Sequence, residues 1–178
     1  MYADSTLTPK EAARLCALGT LSMEQAMTYA ALAASVRHFL DRAQGPSLDV
    51  LGSSLELLKY EGLVETDDSS DETVLSISDA GQRELIALLS ARLRPGATDT
   101  NKLIVALKFR FLHLLDVAEQ RIQVEMMLET IETEMVRLMD LRSHHAKNPG
   151  YLMAWLDREI NDLSARAEWL NGFKIKML

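Results

Sequence analysis

Few side chains in this sequence stand at spacings that support covalent chemistry. The histidines are His38, His113, His144 and His145, and the single cysteine is Cys16. Only His144 and His145 adjoin, and neighbouring residues of a helix point to different sides. The pair is therefore expected near a helix end, against its terminal carbonyls, and not around a metal. One thiol excludes an intramolecular disulfide and is too few for a cysteine-based zinc site. Cys16 falls at helical spacing with Ala12, Leu15 and Leu18, with no cation or histidine beside it, so a small buried hydrophobe is expected and not a reactive thiolate. The run Asp67-Asp68-Ser69-Ser70-Asp71-Glu72 has the carboxylates of a calcium loop but lacks its glycine and its distant bidentate glutamate, and reads as a solvated turn. There is no glycine-rich phosphate loop, no His-Glu-x-x-His helix and no Gly-x-Ser-x-Gly elbow. No catalytic residue, metal or cofactor is expected, and the chain does not read as an enzyme.

What remains is non-covalent recognition, and the elements that would carry it are legible. Apolar residues make up 48% of the 178 and only 6% are aromatic, with eight Gly and four Pro, a balance that favours helices around a modest core. Thr8-Pro9-Lys10-Glu11 places a capping Thr, a Pro at the first helical position and a Glu three residues after the cap, so a first helix should start at Pro9 with one apolar face. Thr28 can cap a second helix carrying Leu32, Val36, Phe39 and Leu40 to about Arg42. Ser47 can cap a third, with Leu48, Leu51, Leu55 and Leu58 on one side and Gly62 as its stop. Leu63 to Thr66 and Thr73 to Ile77 are β-prone segments around the acidic turn and read as a hairpin. Asp79 with Gln82 opens a further helix that ends at Arg94-Pro95-Gly96.

Pro95 to Thr100 is a small polar linker, and an apolar segment from Asn101 to Leu115 follows it. Asp116 caps a long helix whose Val124, Leu128, Ile131, Met135 and Leu138 recur at steps of four and three. After a break at His144 to Gly150, a last helix repeats the pattern with Leu152, Leu156, Ile160, Leu163, Ala167 and Leu170. A short turn between two long helices makes them antiparallel neighbours. Ile122, Met126, Met127 and Met139 lie off the first seam, and Trp155, Trp169 and Phe173 lie off the second. That is more apolar surface than one partner helix can cover, and patches of that size meet another subunit.

Three helices and a two-stranded ribbon within the first 78 residues is the order of a winged helix-turn-helix. Leu7-Thr8-Pro9-Lys10-Glu11, Leu55-Glu56-Leu57-Leu58-Lys59-Tyr60-Glu61-Gly62-Leu63-Val64 and Leu75-Ser76-Ile77-Ser78-Asp79-Ala80-Gly81-Gln82-Arg83 together resemble the N-terminal domain of the PadR-like transcriptional regulators, in the branch that includes the AphA-like proteins. Lys108-Phe109-Arg110-Phe111-Leu112 resembles a stretch common in their helical tails, so the likeness covers nearly the whole chain. It implies a mainly α fold with a small β-hairpin, divided into a winged-helix DNA-binding domain over 1–94 and a C-terminal antiparallel long-helix dimerisation domain over 95–178. It implies a homodimer on a two-fold operator, held through Val124, Leu128, Ile131, Met135, Leu138, Leu156, Ile160, Leu163, Ala167 and Leu170. In some relatives a flat aromatic effector sits between aromatic side chains at the dimer interface. Trp155, Trp169 and Phe173 are the corresponding candidates, with plain packing as the alternative.

In that setting the third helix meets base edges, with Ser47, Asp49, Ser53, Ser54 and Lys59 as candidates. Lys10, Arg14, Thr28, Tyr29, Arg37, His38 and Arg42 are the candidates for phosphate, helped by the N–H groups at the helix starts. Charge runs against part of this. Family members often carry a tyrosine where this chain has Gly52 and basic residues where it has Glu56 and Leu57. From Ser47 through Thr73 the cation is Lys59, against eight carboxylates, and residues 1 to 95 hold 8 basic and 14 acidic side chains of a chain whose net charge is −7. A wing without Lys or Arg cannot release counterions from DNA. The other reading is a winged helix that has become a protein-docking module and does not touch DNA. The N-terminus has no basic region followed by an apolar run, and the longest charge-free stretch, Gln25 to Val36, is too short to cross a bilayer. A cytoplasmic, reduced setting without a membrane role is expected.

Overall fold

The computed structural model describes residues 6–44, 51–69, 72–93, 99–147 and 149–177. Its contacts divide the chain into two compact units, Met1–Arg92 with Thr98–Leu115, and Leu93–Ala97 with Asp116–Leu178.

The first unit is assembled around α1 (Pro9–Glu24). Thr8 and Glu11 form the expected capping box, in which the Thr8 hydroxyl accepts from the Glu11 N–H and the Glu11 carboxylate accepts from the Thr8 N–H. The expectation of a single apolar face is too narrow. Ala12, Ala13, Leu15, Cys16, Ala17, Leu18, Gly19, Thr20 and Leu21 are all buried, so from Leu15 to Leu21 this helix is enclosed on every side, while its two ends are exposed. Its small residues let neighbours come close: a Cβ on Gly19 would lie 2.7 Å from the ring carbons of Phe111. Thr20, a polar residue inside, donates its hydroxyl to the Cys16 carbonyl at 2.7 Å.

Around α1 pack α2 (Tyr29–Gln44), α3 (Leu51–Tyr60), α4 (Asp79–Leu89) and α5 (Asp99–Phe111). Thr28 caps α2 as expected, accepting from the Ala31 N–H. The cap of α4 is Ser78, one residue earlier than expected, because its hydroxyl both accepts from the Gly81 N–H and donates to the Gly62 carbonyl. That helix also ends at Leu89, short of Arg94.

The β-structure is larger than a hairpin. Strands β1 (Ala26–Thr28), β2 (Val64–Asp67) and β3 (Val74–Ile77) form an antiparallel sheet in the order β1-β3-β2, with Met27 and Thr66 both opposite Leu75. The three residues of β1 carry no alternation of their own, and their partner lies some fifty positions away, so nothing local marks them as a strand. Three helices and this sheet make a winged helix.

The segment Thr98–Leu115, placed in the second domain by the sequence, belongs to the first unit. Leu103, Ile104, Leu107 and Phe111 of α5 are buried. So is Lys108, whose ammonium donates to the carbonyl of Leu89, the last residue of α4, where a cation suits the helix C-terminus. The Arg110 guanidinium lies over the rings of Phe39 and Phe111, 4.7 and 4.9 Å from their centroids.

The second unit holds α6 (Val117–His144) and α7 (Leu152–Lys176), with a 3₁₀ turn, Leu112–Leu114, closing the first unit before them. Asp116 caps α6 by accepting from the Glu119 N–H, as expected. Ion pairs Arg142 to Asp157 at one end and Lys174 to Glu125 at the other show that the two helices run antiparallel. His144 ends α6 and His145 caps it, their rings edge to face at 4.9 Å.

Candidate nucleic-acid interface

Building the interface from its residues starts with α2. Its sequence alternates buried Leu32 and Val36 with an outer face, so Arg37, His38 and Arg42 are all exposed. His38 and Arg42 are one turn apart and share a side, with Arg37 flanking them. Thr28 and Tyr29 stand at the start of this helix, where the positive end of the helix dipole favours anions; Tyr29 is exposed and Thr28 is half-buried as the cap. Lys10 is exposed in the first turn of α1. Arg37, His38 and Arg42 are thus solvated basic side chains of one helix, with Lys10 exposed separately on α1.

Helix α3 and the wing have the opposite character. Lys59 is exposed on α3, but so are Glu56 on the helix and Glu61 just after it, with Leu57 and Tyr60 among them. Ser47 and Asp49 lie outside the described residues. Ser53 and Ser54 belong to α3, and their side chains lie outside the description as well. On the wing, Glu65, Asp67, Asp68 and Glu72 are exposed. Asp67 accepts from Ser69, whose side chain and backbone N–H hold the carboxyl below its ordinary range, and Asp68 accepts from the Thr73 hydroxyl. Both carboxylates are thus tied into the turn itself.

Arg14 is not among these solvated cations. Its Nη2 meets Glu61 at 2.9 Å and its Nη1 meets Glu84 at 3.2 Å. Burial works against its charge, but the Glu61 carboxylate and the hydrogen bonds to Glu84 and Glu61 outweigh it and hold the guanidinium above the ordinary arginine value. A phosphate reaching Arg14 would face two carboxylates. Of the expected phosphate candidates, Arg14 alone among the described residues is held by two carboxylates of other elements.

Cys16 is fully buried, and a cation does stand beside it, supplied from 94 residues away: Arg110 Nη1 is 3.5 Å from its sulfur. Burial nonetheless pushes the thiol up to about 11, against the opposing pull of Arg110. It is an inert thiol. Among the described residues no group of three or more His, Cys, Asp and Glu side chains is placed to hold a metal ion. No helix among them is long and apolar enough to cross a membrane.

In the second unit the heptad seam is occupied within the chain. Leu138, Leu156 and Leu163 pack together, with Ile131, Met135, Met153 and Ile160 against them. Val124, Leu128 and Leu170 are buried too, and Ala167 is half-buried. Periodicity located a buried stripe, and within one chain the neighbouring helix covers it, with Ile131, Met135, Ile160 and Ala167 half-buried. Exposed apolar residues include Ile122, Val136 and Met139 on α6 and Trp155, Trp169 and Ile175 on α7, together with Leu152 from the start of the second seam. Trp169 stacks on Phe173 at 5.6 Å between centroids. Fourteen residues of helix separate Trp155 from Trp169, roughly 21 Å along the axis, so the two indoles of one chain cannot clamp the same small ring.

A family model described as "Putative AphA-like transcriptional regulator" matches residues 2–174 of the chain. A search of curated proteins finds no match. Among solved structures, the PadR-like transcriptional regulator BC1756 from Bacillus cereus is similar at 16% identity, covering 93% of this chain and 97% of its own, with a TM-score of 0.39. Bacillus subtilis PadR is similar at 15% identity over 97% of this chain and 98% of its own, with a TM-score of 0.41. That protein has also been solved with operator DNA, where the likeness is 13% identity over 91% of this chain and 98% of the other at a TM-score of 0.38.

Proposed function

The chain belongs to the AphA-like family of transcriptional regulators, and from that membership we propose that it is a homodimeric DNA-binding regulator that holds a two-fold operator mainly through α2. The observation that carries this reading is the division of charge. Arg37, His38 and Arg42 stand exposed on α2, whereas the wing presents carboxylates that oppose phosphate. Lys10 and the start of α2 at Thr28 and Tyr29 add phosphate contacts, and Ser47, Asp49, Ser53, Ser54 and Lys59 remain the positions from which α3 would read bases. Such a grip is modest for one winged helix, so two half-sites engaged together supply the affinity. The exposed Trp155, Trp169, Val136 and Met139 give the second unit its surface for a second copy, with the first unit, α5 included, as the DNA-binding part and the α6–α7 pair as the dimerising part.

A salt series with a randomised duplex pool tests this. One sequence class should be enriched, and Arg37→Glu with Arg42→Glu should weaken all duplexes and reduce the salt slope by about 2. If no sequence is enriched even at low ionic strength, the DNA reading fails. The second reading then stands: a winged helix that docks a protein, favoured by Leu57 and Tyr60 exposed among Glu56, Glu61 and Glu65. A small aromatic effector would quench tryptophan fluorescence, and loss of quenching in Trp155→Ser or Trp169→Ser would locate it.

A further inference from the structure

We propose that Arg14 is a positioning residue for recognition: it fixes the exit of α3 and touches no phosphate. The proposal rests on the DNA-binding reading above. Arg14 projects from α1 and divides its guanidinium between two elements, Nη2 to Glu61 after α3 and Nη1 to Glu84 on α4. Arg14 and Glu84 are 19% and 20% exposed, so the Glu84 arm is sheltered, while Glu61 at 36% holds the surface arm of the fork. The planar fork of arginine meets both carboxylates at once, which the single ammonium of lysine does not.

The point that Arg14 holds is where the direction of α3 is set. Glu61 is followed by Gly62, whose φ of 71° reverses the chain into β2. The turn is closed by Gly62 N–H to the Lys59 carbonyl at 3.1 Å and Leu63 N–H to the Leu58 carbonyl at 2.9 Å. From the other side, Ser78 donates its hydroxyl to the Gly62 carbonyl and its N–H to the Leu63 carbonyl. Gly81 lies so close that a methyl there would run into the Leu63 carbonyl oxygen. Ser78 and Gly81 thus pin the strand side of the turn, and Arg14 pins the helix side. Without Arg14 the end of α3 keeps the packing of Leu55 and Leu58 and its own turn but loses its polar tie to α1 and α4, and the polar positions of that helix lose their fixed angle to the body that carries Arg37, His38 and Arg42.

The test compares Arg14→Met, Arg14→Lys, Glu61→Gln and Glu84→Gln in the full chain, against the enriched duplex and a scrambled one over a salt series. Arg14→Met should cut the ratio of specific to non-specific affinity by about 10-fold or more and leave the salt slope unchanged. Glu61→Gln removes a negative charge near the recognition helix, so simple electrostatics would tighten binding. It should instead lose discrimination as Arg14→Met does, and Arg14→Lys should not rescue it. A salt slope lower by about 1 with discrimination kept would make Arg14 a phosphate contact and overturn the proposal. Tighter binding by Glu61→Gln with unchanged selectivity would overturn it equally. If the unaltered protein enriches no duplex, the DNA reading has failed, and amide exchange decides the rest. Gly62 and Leu63 should exchange faster in Glu61→Gln and Arg14→Met while Leu18 and Leu88 keep their protection; unchanged exchange at Gly62 and Leu63 sinks the positioning role.

Discussion

The winged-helix unit and the α6–α7 pair solve the burial of apolar surface in opposite ways. The first encloses a stretch of α1 on all sides, admits Phe111 against a bare Gly19 backbone, and buries even a lysine and a cysteine. The second has one row of leucines between two helices and leaves Trp155 at 52% and Trp169 at 57% exposed. Two helices offer each other one face apiece, so apolar residues on the remaining faces have no cover within the pair. A closed unit is suited to hold angles fixed, as a DNA-reading surface requires. An open one is suited to associate.

The sharpest way to break this contrast is at the tightest contact. Gly81→Ala should destabilise the winged helix by roughly 3 kcal/mol or more, since the obstacle is the Leu63 backbone and cannot swing aside. Thermal unfolding followed by circular dichroism checks it, and a loss under 1 kcal/mol would mean the unit is looser than described. In the second unit the inner and outer rows should separate. Leu156→Ala, at a fully buried site, should cost about 3 kcal/mol. Trp155→Ser should leave the helices intact and shift the association state in light scattering; the reverse pattern would exchange the two rows.

Cys16 tests enclosure by reactivity. A thiol pushed up to about 11 from its ordinary 9.0 holds about 100-fold less thiolate than an unfolded one at pH 8, so alkylation of the native protein should be slower by at least that factor. Because the folded thiol keeps its proton more tightly, its contribution to stability is whole below pH 9 and is lost as pH rises towards 11. Rapid labelling at pH 8 would show that α1 is not enclosed. The smallest effect belongs at the rim, where Thr8→Ala removes the cap from an exposed first turn and should cost about 1 kcal/mol in the same unfolding measurement.

The same contrast explains what could be read ahead of the structure. Capping is a transaction among four consecutive residues, so Thr8 with Glu11, Thr28 and Asp116 were all legible. At Ser78 and Asp79 two caps compete locally, and the winner is decided by Gly62, sixteen positions earlier. Periodicity announces that a face is covered but not by what. It found the leucines of α6 and α7, which within one chain cover each other. Small residues hid the enclosure of α1, because Ala13, Ala17 and Gly19 carry no hydrophobic signal strong enough to define a second face. Arg14 was legible as a cation and illegible as a clamp, since its carboxylates lie 47 and 70 residues away. The same distance hid β1 and the membership of α5 in the first unit.

The strand order has a bearing on solubility. With β3 central, β2 is an edge, and its outer backbone N–H and carbonyl groups form a template on which a foreign strand could grow. Glu65 and Asp67 stand exposed along that edge, two residues apart, and meet any incoming copy of the same strand with like charge. The acid that weakens the wing as a DNA contact therefore guards a sheet that is only three strands wide against stacking into fibres. A chain whose wing was made basic to improve its hold on an operator would give up that guard.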